Sequence, residues 1–287
     1  MKKVGFIGLG AMGQPMAVNL LMAGYETYVY ARRPEVTKEL QEKGAIVCES
    51  PGKVAKASEV VITMLPDSRE VQEVCKGEHG IFTGAHENLI YIDSSTTDPK
   101  SFLMLAAEAA ELGIRTLDAP VGGGVPNAVA GNLIMLVGGE KNLVESCRDM
   151  FETVGQKILY CGPLGSAKSL KLANNLMTAL YACLLVEGFS LAKKAGVNRD
   201  ILLELLNANT MNLLEMLTRR IMKTDFRPGF KVALAQKDLR LALKLAGEHK
   251  HPLPLGALAK ELYQFAMNQG LEDFDFTALY KLYDREI

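Results

Sequence analysis

The sequence has no tryptophan, few aromatic residues and no excess of charge of one sign. Aromatic residues make up 7% of its 287 positions, and 32 basic residues stand against 33 acidic ones, a net charge of −1. A protein that neutralises nucleic acid or binds an anionic membrane needs a strongly basic surface. We therefore expect neither nucleic acid nor a membrane as the main partner. The scarcity of aromatic residues is typical of helix-rich packing by Leu, Ala and Met.

Cysteine and histidine are also scarce. The five cysteines are odd in number and form no C-x-x-C pair, which argues against a disulfide framework and favours a reducing cytoplasm. His249 and His251 are two residues apart and are followed by Pro252, so a helix would point them to different faces, and we expect no metal site. The most apolar segment, Leu176–Val186, is too short to span a bilayer.

The strongest local pattern is a glycine turn between a strand and a helix. An apolar run over residues 3–7 predicts a buried strand, Gly8-Leu9-Gly10-Ala11-Met12-Gly13 follows it, and a helical apolar pattern then continues to Gly24. In such a turn the glycines allow a tight bend, close approach to a pyrophosphate and close packing of helix on strand. The phosphates meet the free N–H groups of the helix. The turn predicts a dinucleotide site; the alternative is a glycine-rich connection in an ordinary α/β protein.

Strand-like runs alternate with helical patterns through the first half of the chain. This alternation predicts βαβ units and an α/β Rossmann fold with a doubly wound, mostly parallel sheet. The predicted strands are Val4–Ile7, Thr27–Tyr30, Ala45–Cys48, Val60–Met64, Leu89–Ile92, Arg115–Leu117, Ile134–Val137 and Lys157–Tyr160. Ligands of open α/β sheets lie beyond the carboxyl ends of the strands. The loops at Met64-Leu65-Pro66 and Asp93-Ser94-Ser95-Thr96 are therefore candidates to face the cofactor.

After Gly165 the pattern becomes wholly helical. The predicted helices are Ser166–Ala195, Arg199–Ala208, Met211–Met222, Ala233–Glu248, Leu255–Gln269 and Thr277–Asp284. We therefore predict a dinucleotide-binding Rossmann domain over 1–163, a long interdomain helix over 164–195, and a small all-α domain over 196–287 for substrate and oligomerisation. The apolar course of the long helix predicts contact with a second subunit, in a homodimer or homotetramer.

The end of the second strand indicates which nicotinamide cofactor is used. An acidic residue about 20 positions beyond the glycines usually binds the ribose 2′-hydroxyl of NAD. Here Arg32 and Arg33 follow the strand, with no carboxylate at its end. Arginine suits bidentate contact with a phosphate, so we predict NADP, with NAD as the alternative. Glu35 could pair with one arginine and weaken this preference, and in another interpretation the arginines are simply solvated.

A second glycine turn, Gly162–Gly165, leads into the long helix and its lysines. Lys171 and Asn175 are four residues apart and share one helical face, with Lys168 and Asn174 on neighbouring faces. A lysine ammonium beside a carboxamide can hydrogen-bond a carbonyl oxygen and donate a proton as hydride arrives, and burial lowers its pKa. The alternative for Lys171 is an ordinary surface lysine.

Together these motifs resemble the β-hydroxyacid dehydrogenase family, which includes 3-hydroxyisobutyrate dehydrogenase, tartronate semialdehyde reductase and glyoxylate/succinic semialdehyde reductase. The resemblance covers essentially the whole chain. Its motifs are Gly5–Leu20, Asp93–Thr96, Asp118–Gly124, Gly162–Asn175, and Phe230 with Lys237-Asp238-Leu239. It implies that Lys171 is the general acid/base. It places Thr96, Gly122, Gly123, Gly124, Asn175, Phe230 and Asp238 near the substrate, and Thr96 and Lys237 at the cofactor.

The substrate loop departs from the family pattern. The family usually has Ser-Gly-Gly where this chain has Gly122-Gly123-Gly124. One hydroxyl donor to a carboxylate is missing, but the backbone N–H groups can still bind an anion.

From these motifs we predict an NADPH-dependent reductase that interconverts a small semialdehyde or 2-oxo acid (glyoxylate, succinic semialdehyde, tartronate semialdehyde or similar) and its hydroxy acid. Two alternatives are an NAD-dependent dehydrogenase of 3-hydroxyisobutyrate or of a sulfonated aldehyde, and a non-catalytic dinucleotide-binding sensor or scaffold. Decarboxylating oxidation of a phosphorylated sugar acid would call for a larger helical domain.

Overall fold

The structure is a computed structural model that describes residues 2–284, with side chains described for 2–208 and 214–284. The strands are β1 Lys3–Ile7, β2 Glu26–Tyr30, β3 Ile46–Val47, β4 Val60–Thr63, β5 Ile90–Asp93, β6 Arg115–Asp118, β7 Val121–Gly122, β8 Leu133–Gly138 and β9 Gly155–Gly162. The helices among them are α1 Gly13–Met22, α2 Lys38–Glu42, α3 Pro51–Ala57, α4 Ser68–Lys76, α5 Pro99–Glu111, α6 Val125–Val129, α7 Lys141–Ser146 and α8 Arg148–Val154. After them come α9 Ser166–Lys194, α10 Arg199–Met222, α11 Val232–Glu248 and α12 Pro254–Asn268. Short 3₁₀ helices lie at Pro34–Thr37, Ile81–Gly84 and Phe276–Leu282.

The strands form one mixed, mostly parallel sheet. Its order is β3-β2-β1-β4-β5-β6-β8-β7, with β9 beside β8. Pairing is parallel from β3 across to β6, antiparallel where β8 meets β6 and β7, and parallel again between β8 and β9. The order of strands reverses between β1 and β4, and ligands of such sheets bind in the crevice beyond the carboxyl ends at that point.

Both faces of the sheet are buried, and this explains the continuous apolar strands. In β1, Val4 and Phe6 belong to one hydrophobic cluster and Ile7 to the other. In β5, Ile92 likewise belongs to the first cluster and Tyr91 to the second. Because successive strand residues point to opposite faces, a strand covered on both sides has apolar residues at every position. The core of the Rossmann part is therefore two layers, one on each face.

The predicted fold class is confirmed: a Rossmann-like sheet, a long helix and then helices alone. One predicted break is wrong, because Arg199–Met222 is one continuous helix and not two. Polar residues in a helix interior each cost less than about 1 kcal/mol, which is too little by itself to interrupt a helix of this length. The last predicted helix is a 3₁₀ helix, Phe276–Leu282. The two-residue strand β7 was too short for its pattern to be recognised.

The chain divides into two compact units, one up to Leu176 and the other from Met177 onward, so α9 contributes to both. By length and composition α9 could cross a membrane: its 29 residues include an 18-residue window of mean hydropathy 1.4, none of which is buried. The prediction that this apolar segment is too short to span a bilayer is therefore wrong for the helix as a whole. One such helix is weak support for a membrane protein, because helices packed inside soluble proteins have the same composition.

Candidate active site

The glycine turn joins β1 to α1 and can hold no side chain at two of its positions. Gly8 has φ of +101°, and a Cβ atom there would collide with the carbonyl oxygen of Met64. A Cβ atom at Gly13 would collide with the carbonyl oxygen of Gly8. At Gly10, by contrast, a Cβ atom would meet nothing within 4 Å. The turn is packed tightly at its two ends and leaves its middle open.

A cavity of about 490 Å³ lies at this turn. It brings together Gly8–Gly13, Arg32, Arg33 and Met64–Pro66, all of which the sequence places at the cofactor. Its volume is within the range of about 300–1,000 Å³ that is usual for ligand sites. The open backbone at Gly10 and the N-terminus of α1 suit a pyrophosphate, and the arginines suit a further phosphate. The residues present therefore fit a nicotinamide dinucleotide.

Arg32 is paired with a carboxylate in the wall of this cavity. Its Nη2 lies 2.6 Å from Oε1 of Glu70 in α4, and this hydrogen bond raises the pKa of the Arg32 guanidinium. The sequence singles out Glu35 as a possible partner for an arginine. The observed partner of Arg32 is instead Glu70, because α4 brings it to the end of β2 from 38 positions away.

Three polar side chains, which we call the polar row, end neighbouring strands in one register. Thr63 of β4 pairs with Asp93 of β5, which pairs with Asp118 of β6, and all three are buried. The Thr63 hydroxyl donates to Asp93 at 2.8 Å, and the N–H of Ser95 donates to the same carboxylate at 3.0 Å. Asp93 thereby fixes the start of the loop that carries the half-buried Thr96.

The polar row also holds the first turn of α9. Asp118 accepts hydrogen bonds from the N–H groups of Gly165 at 2.8 Å and Lys168 at 3.0 Å. The Lys168 ammonium donates to Asp93 at 2.7 Å and to the carbonyl of Ser95 at 3.1 Å. Both side chains of this ion pair are 0% exposed. Because buried charges must be paired and hydrogen-bonded, these contacts tie α9 firmly to the strand ends.

Lys171 lies one turn further along α9. It is half-buried, and burial lowers the pKa of its ammonium below the ordinary lysine value of 10.5. Asn175 is exposed four residues later and shares the same helical face. The pair provides an ammonium that releases its proton more readily than a solvated lysine, beside a carboxamide that can both donate and accept hydrogen bonds.

The substrate loop predicted at Gly122-Gly123-Gly124 spans the end of β7 and the N-cap of α6. Gly123 has φ of +105°, a conformation that favours glycine. At Gly122 φ is not positive, and a Cβ atom would lie 3.4 Å from Cβ of Ile134, an ordinary contact. The N–H of Gly124 donates to the side chain of Asn127 at 3.3 Å. The loop therefore has room for a side chain at residue 122 that this chain does not use.

The remaining predicted residues, Phe230, Lys237 and Asp238, lie in the second unit. The Phe230 ring packs edge-on against Phe276, with centroids 5.7 Å apart, and its N–H donates to Asp275 at 3.1 Å. Lys237 and Asp238 are exposed on α11 and form an ion pair of 2.8 Å. Exposed pairs of this kind contribute little stability, so these two side chains can exchange partners without disturbing their helix.

Known proteins match the chain over nearly its whole length. Residues 3–162 match the NAD binding domain of 6-phosphogluconate dehydrogenase, and residues 165–283 match the NAD-binding domain of NADP-dependent 3-hydroxyisobutyrate dehydrogenase. The mitochondrial 3-hydroxyisobutyrate dehydrogenase of Mus musculus is 36% identical, over 97% of this chain and 86% of that one. The 2-hydroxy-3-oxopropionate reductase of Escherichia coli (strain K12) is 37% identical, over 96% of this chain and 95% of that one. The chain belongs to the β-hydroxyacid dehydrogenase family.

A solved structure supports the same conclusion. The 3-hydroxyisobutyrate dehydrogenase of Mycobacterium tuberculosis, with L-serine, is 32% identical and aligns over 97% of this chain and 98% of that one with a TM-score of 0.70. This β-hydroxyacid dehydrogenase is an NAD(P)-dependent oxidoreductase acting on a CH–OH group, and not the non-catalytic sensor considered above. Within the described residues, no group of three or more His, Cys, Asp or Glu side chains could hold a metal ion.

The sequence does not reveal several residues that shape the site of this β-hydroxyacid dehydrogenase. Lys168 stands out only as a neighbour of Lys171, and Glu70 does not stand out at all. Asp93 and Asp118 offer an indication, since each follows an apolar strand and begins a motif. Their shared role in holding α9 depends on strand order, which the sequence pattern does not specify.

Proposed function

We propose that this β-hydroxyacid dehydrogenase is an NADPH-dependent reductase of a small semialdehyde or 2-oxo acid, with Lys171 as the general acid and base. The half-buried Lys171 ammonium, whose pKa burial lowers, carries this proposal. In reduction Lys171 donates a proton to the carbonyl oxygen, and in oxidation it removes the proton of the hydroxyl group. A bound nicotinamide supplies the hydride in reduction and accepts it in oxidation.

The acid group of the substrate binds at the loop Gly122–Gly124, and Asn175 and Thr96 orient the reacting carbon. Backbone N–H groups in such a loop favour an anion. Glyoxylate, succinic semialdehyde and tartronate semialdehyde are the proposed substrates, and 3-hydroxyisobutyrate is an alternative. The unfilled space at Gly122 favours a second candidate, a sulfonated aldehyde, because a sulfonate is larger than a carboxylate.

NADP is the proposed cofactor because of the side chains that follow β2. That strand ends at Tyr30, and Arg32 and Arg33 then line the cavity that the glycine turn also lines. Guanidinium groups bind phosphate bidentately, so they favour the 2′-phosphate over a 2′-hydroxyl. NAD stays the alternative, since Glu70 already engages Arg32.

Replacing Lys171 with alanine tests the catalytic role. We expect turnover to fall by about 10²–10⁴-fold, the range that general acid–base catalysis contributes. The dissociation constant for NADPH should not change, because the cavity residues stay in place. Lys193→Ala, an exposed lysine near the other end of α9, is the matched control and should keep wild-type turnover. Unchanged turnover in Lys171→Ala would overturn the mechanism.

A substrate panel tests the rest of the proposal. NADPH oxidation is measured with glyoxylate, succinic semialdehyde, tartronate semialdehyde, methylmalonate semialdehyde and a sulfonated aldehyde, and is repeated with NADH. The highest kcat/KM is expected with NADPH and one of the carboxylated aldehydes. A best pair that uses NADH would refute the cofactor assignment, and a sulfonated best substrate would favour the second candidate.

We further propose that α9 packs against a second copy of the chain, in a homodimer or homotetramer. Its exposed large apolar side chains include Leu176, Met177, Leu180, Tyr181, Leu184, Leu185 and Val186. In the same segment, Glu187 accepts hydrogen bonds from the N–H groups of Leu255 at 2.6 Å and Gly256 at 3.0 Å. A carboxylate there favours protein over lipid surroundings. Light scattering should give a multiple of the monomer mass, and a monomer would refute the proposal.

A further inference from the structure

The Arg32–Glu70 ion pair lies in the wall of the proposed cofactor cavity. Arg32 comes from the loop after β2 and Glu70 from α4, and both line the cavity of about 490 Å³. Glu70 is fixed from its own helix, because its N–H donates to Asp67, the N-cap of α4, at 2.9 Å. The Arg32 side chain is 69% exposed and that of Glu70 only 23%. The carboxylate is therefore the more firmly held partner, and the guanidinium is the one that can move.

Only one of the two carboxylate oxygens of Glu70 is hydrogen-bonded to a described residue. Its Oε1 accepts from Arg32, whereas its Oε2 is buried and has no hydrogen-bond partner in the part of the chain that the structure describes. A buried acceptor without a partner is destabilising. Because an ion pair as exposed as this one contributes little stability, stability alone does not account for the position of this carboxylate in the cavity wall.

The charges around the proposed phosphate position are unequal. Arg33 also lines the cavity and forms no ion pair with any described residue, so its charge is free to attract an anion. The charge of Arg32 is offset by Glu70 at 2.6 Å. A phosphate ester carries about −1.5 to −2 charges near neutrality, whereas a hydroxyl carries none. Glu70 therefore opposes binding of a 2′-phosphate through charge and does not repel a 2′-hydroxyl.

We propose that Glu70 is a specificity-determining residue that competes with the 2′-phosphate of NADP for Arg32. The competition narrows the preference for NADPH and leaves NADH usable. This inference rests on the proposed NADP site at Arg32 and Arg33. A phosphate that displaces Glu70 gains a guanidinium with five N–H donors but leaves the carboxylate unpaired. Removing the carboxylate charge therefore favours NADPH alone.

Glu70→Gln tests the proposal because it removes the charge and keeps the size. NADPH and NADH are titrated into the wild type and the variant, and dissociation constants are read from the fluorescence of the reduced nicotinamide. We expect the variant to bind NADPH roughly threefold to tenfold more tightly than the wild type does, the size of effect typical of partly exposed charges. The dissociation constant for NADH should change by less than about twofold. Glu145→Gln is the matched control, because Glu145 pairs with Arg148 at 2.7 Å and is not a cavity residue.

Two further variants separate competition for Arg32 from simple repulsion of the phosphate. In an Arg32→Gln background, Glu70→Gln should lose most of its effect, because no guanidinium is left to release. Glu70→Asp keeps the charge and should bind NADPH more like the wild type than Glu70→Gln does. Three results would overturn the inference. Glu70→Gln could weaken NADPH binding, or it could change the dissociation constants of NADPH and NADH by the same factor. It could also tighten NADPH binding as much in the Arg32→Gln background as in the wild type.

Failure of the proposed cofactor is distinguishable from failure of this inference. A wild-type protein that binds NADH more tightly than NADPH would contradict the proposed NADP preference. The role of Glu70 would still be judged by the change in the NADPH to NADH ratio between the wild type and Glu70→Gln. An unchanged ratio would overturn the inference whichever cofactor the wild type prefers.

Discussion

Removing the buried charge of Lys168 should destabilise the Rossmann unit. Its ammonium donates to Asp93 at 2.7 Å and lies 4.5 Å from the centre of the Phe102 ring, with no exposed side-chain surface. Lys168→Met keeps much of the length of the side chain and removes its charge. The Asp93 carboxylate then stays buried without its cation, which is the costly way to break an ion pair.

The expected loss in the free energy of unfolding depends on the hydrogen bonds that Asp93 keeps in the variant. Breaking a buried pair from one side costs about 3–5 kcal/mol. Three hydrogen bonds to Asp93 remain, from the Thr63 hydroxyl, the Ser95 N–H and the Thr97 hydroxyl at 2.8, 3.0 and 3.4 Å. We therefore expect the lower end of the range, about 3 kcal/mol. That is a large share of a typical unfolding free energy of about 5–15 kcal/mol.

Urea unfolding measures this loss. Because the chain has no tryptophan, unfolding is followed by far-ultraviolet circular dichroism, and the transitions of the two units are fitted separately. Lys193→Met, an exposed position on the same helix, is the control and should change stability by less than about 0.5 kcal/mol. The same measurement on the double variant Lys168→Met/Asp93→Asn should recover part of the loss, since residue 93 then carries no charge that has lost its partner. A loss below about 1 kcal/mol in the single variant, or a double variant that is less stable than the single one, would refute the reasoning.

Two further predictions concern activity. Burial lowers the pKa of Lys171 below 10.5, and the protonated form is the acid in reduction. As pH rises through that lowered pKa, kcat/KM should therefore fall for reduction and rise for oxidation. A pH profile with no inflection below 10.5 would contradict this assignment. Gly122→Ser should fold, because residue 122 has room for the side chain, and it adds a hydroxyl donor. We expect kcat/KM for a carboxylated aldehyde to rise by about tenfold relative to that for a sulfonated one, as for one hydrogen bond to a charged group. An unchanged ratio of the two kcat/KM values would show that residue 122 does not contact the acid group.

The parts of the fold that the sequence predicted are those set by local patterns. The apolar run, the glycine turn and the helix after it are contiguous, so Gly8 and Gly13 could be assigned their packing roles from spacing alone. The structure places both where a side chain would collide with backbone. Alternating strands and helices predicted a mostly parallel sheet for the same reason, because each βαβ unit is local in the chain.

The contacts that join distant segments could not be predicted in this way. Arg32 and Glu70 are 38 positions apart, and Lys168 and Asp93 are 75 apart. Each contact depends on which strands are neighbours in the sheet. A lysine in the first turns of an apolar helix is ordinarily expected at the surface, since Lys is almost never fully buried unless paired. The pairing carboxylate that makes Lys168 an exception is supplied by a strand whose place in the sheet the pattern does not specify.

The polar row fixes the buried Lys168, and the proposed catalytic lysine, Lys171, follows it on the same helix. Parallel pairing in one register makes Asp93 and Asp118 end side by side, and the first turn of α9 binds to both through Lys168. Lys171 follows three residues later, which is about 4.5 Å along the helix axis and about 60° around it. Lys171 is half-buried there. The start of α9 thus carries a buried, paired lysine, and the next lysine along the helix is partly desolvated, which is the condition that lowers its pKa and would suit it to exchange a proton with substrate.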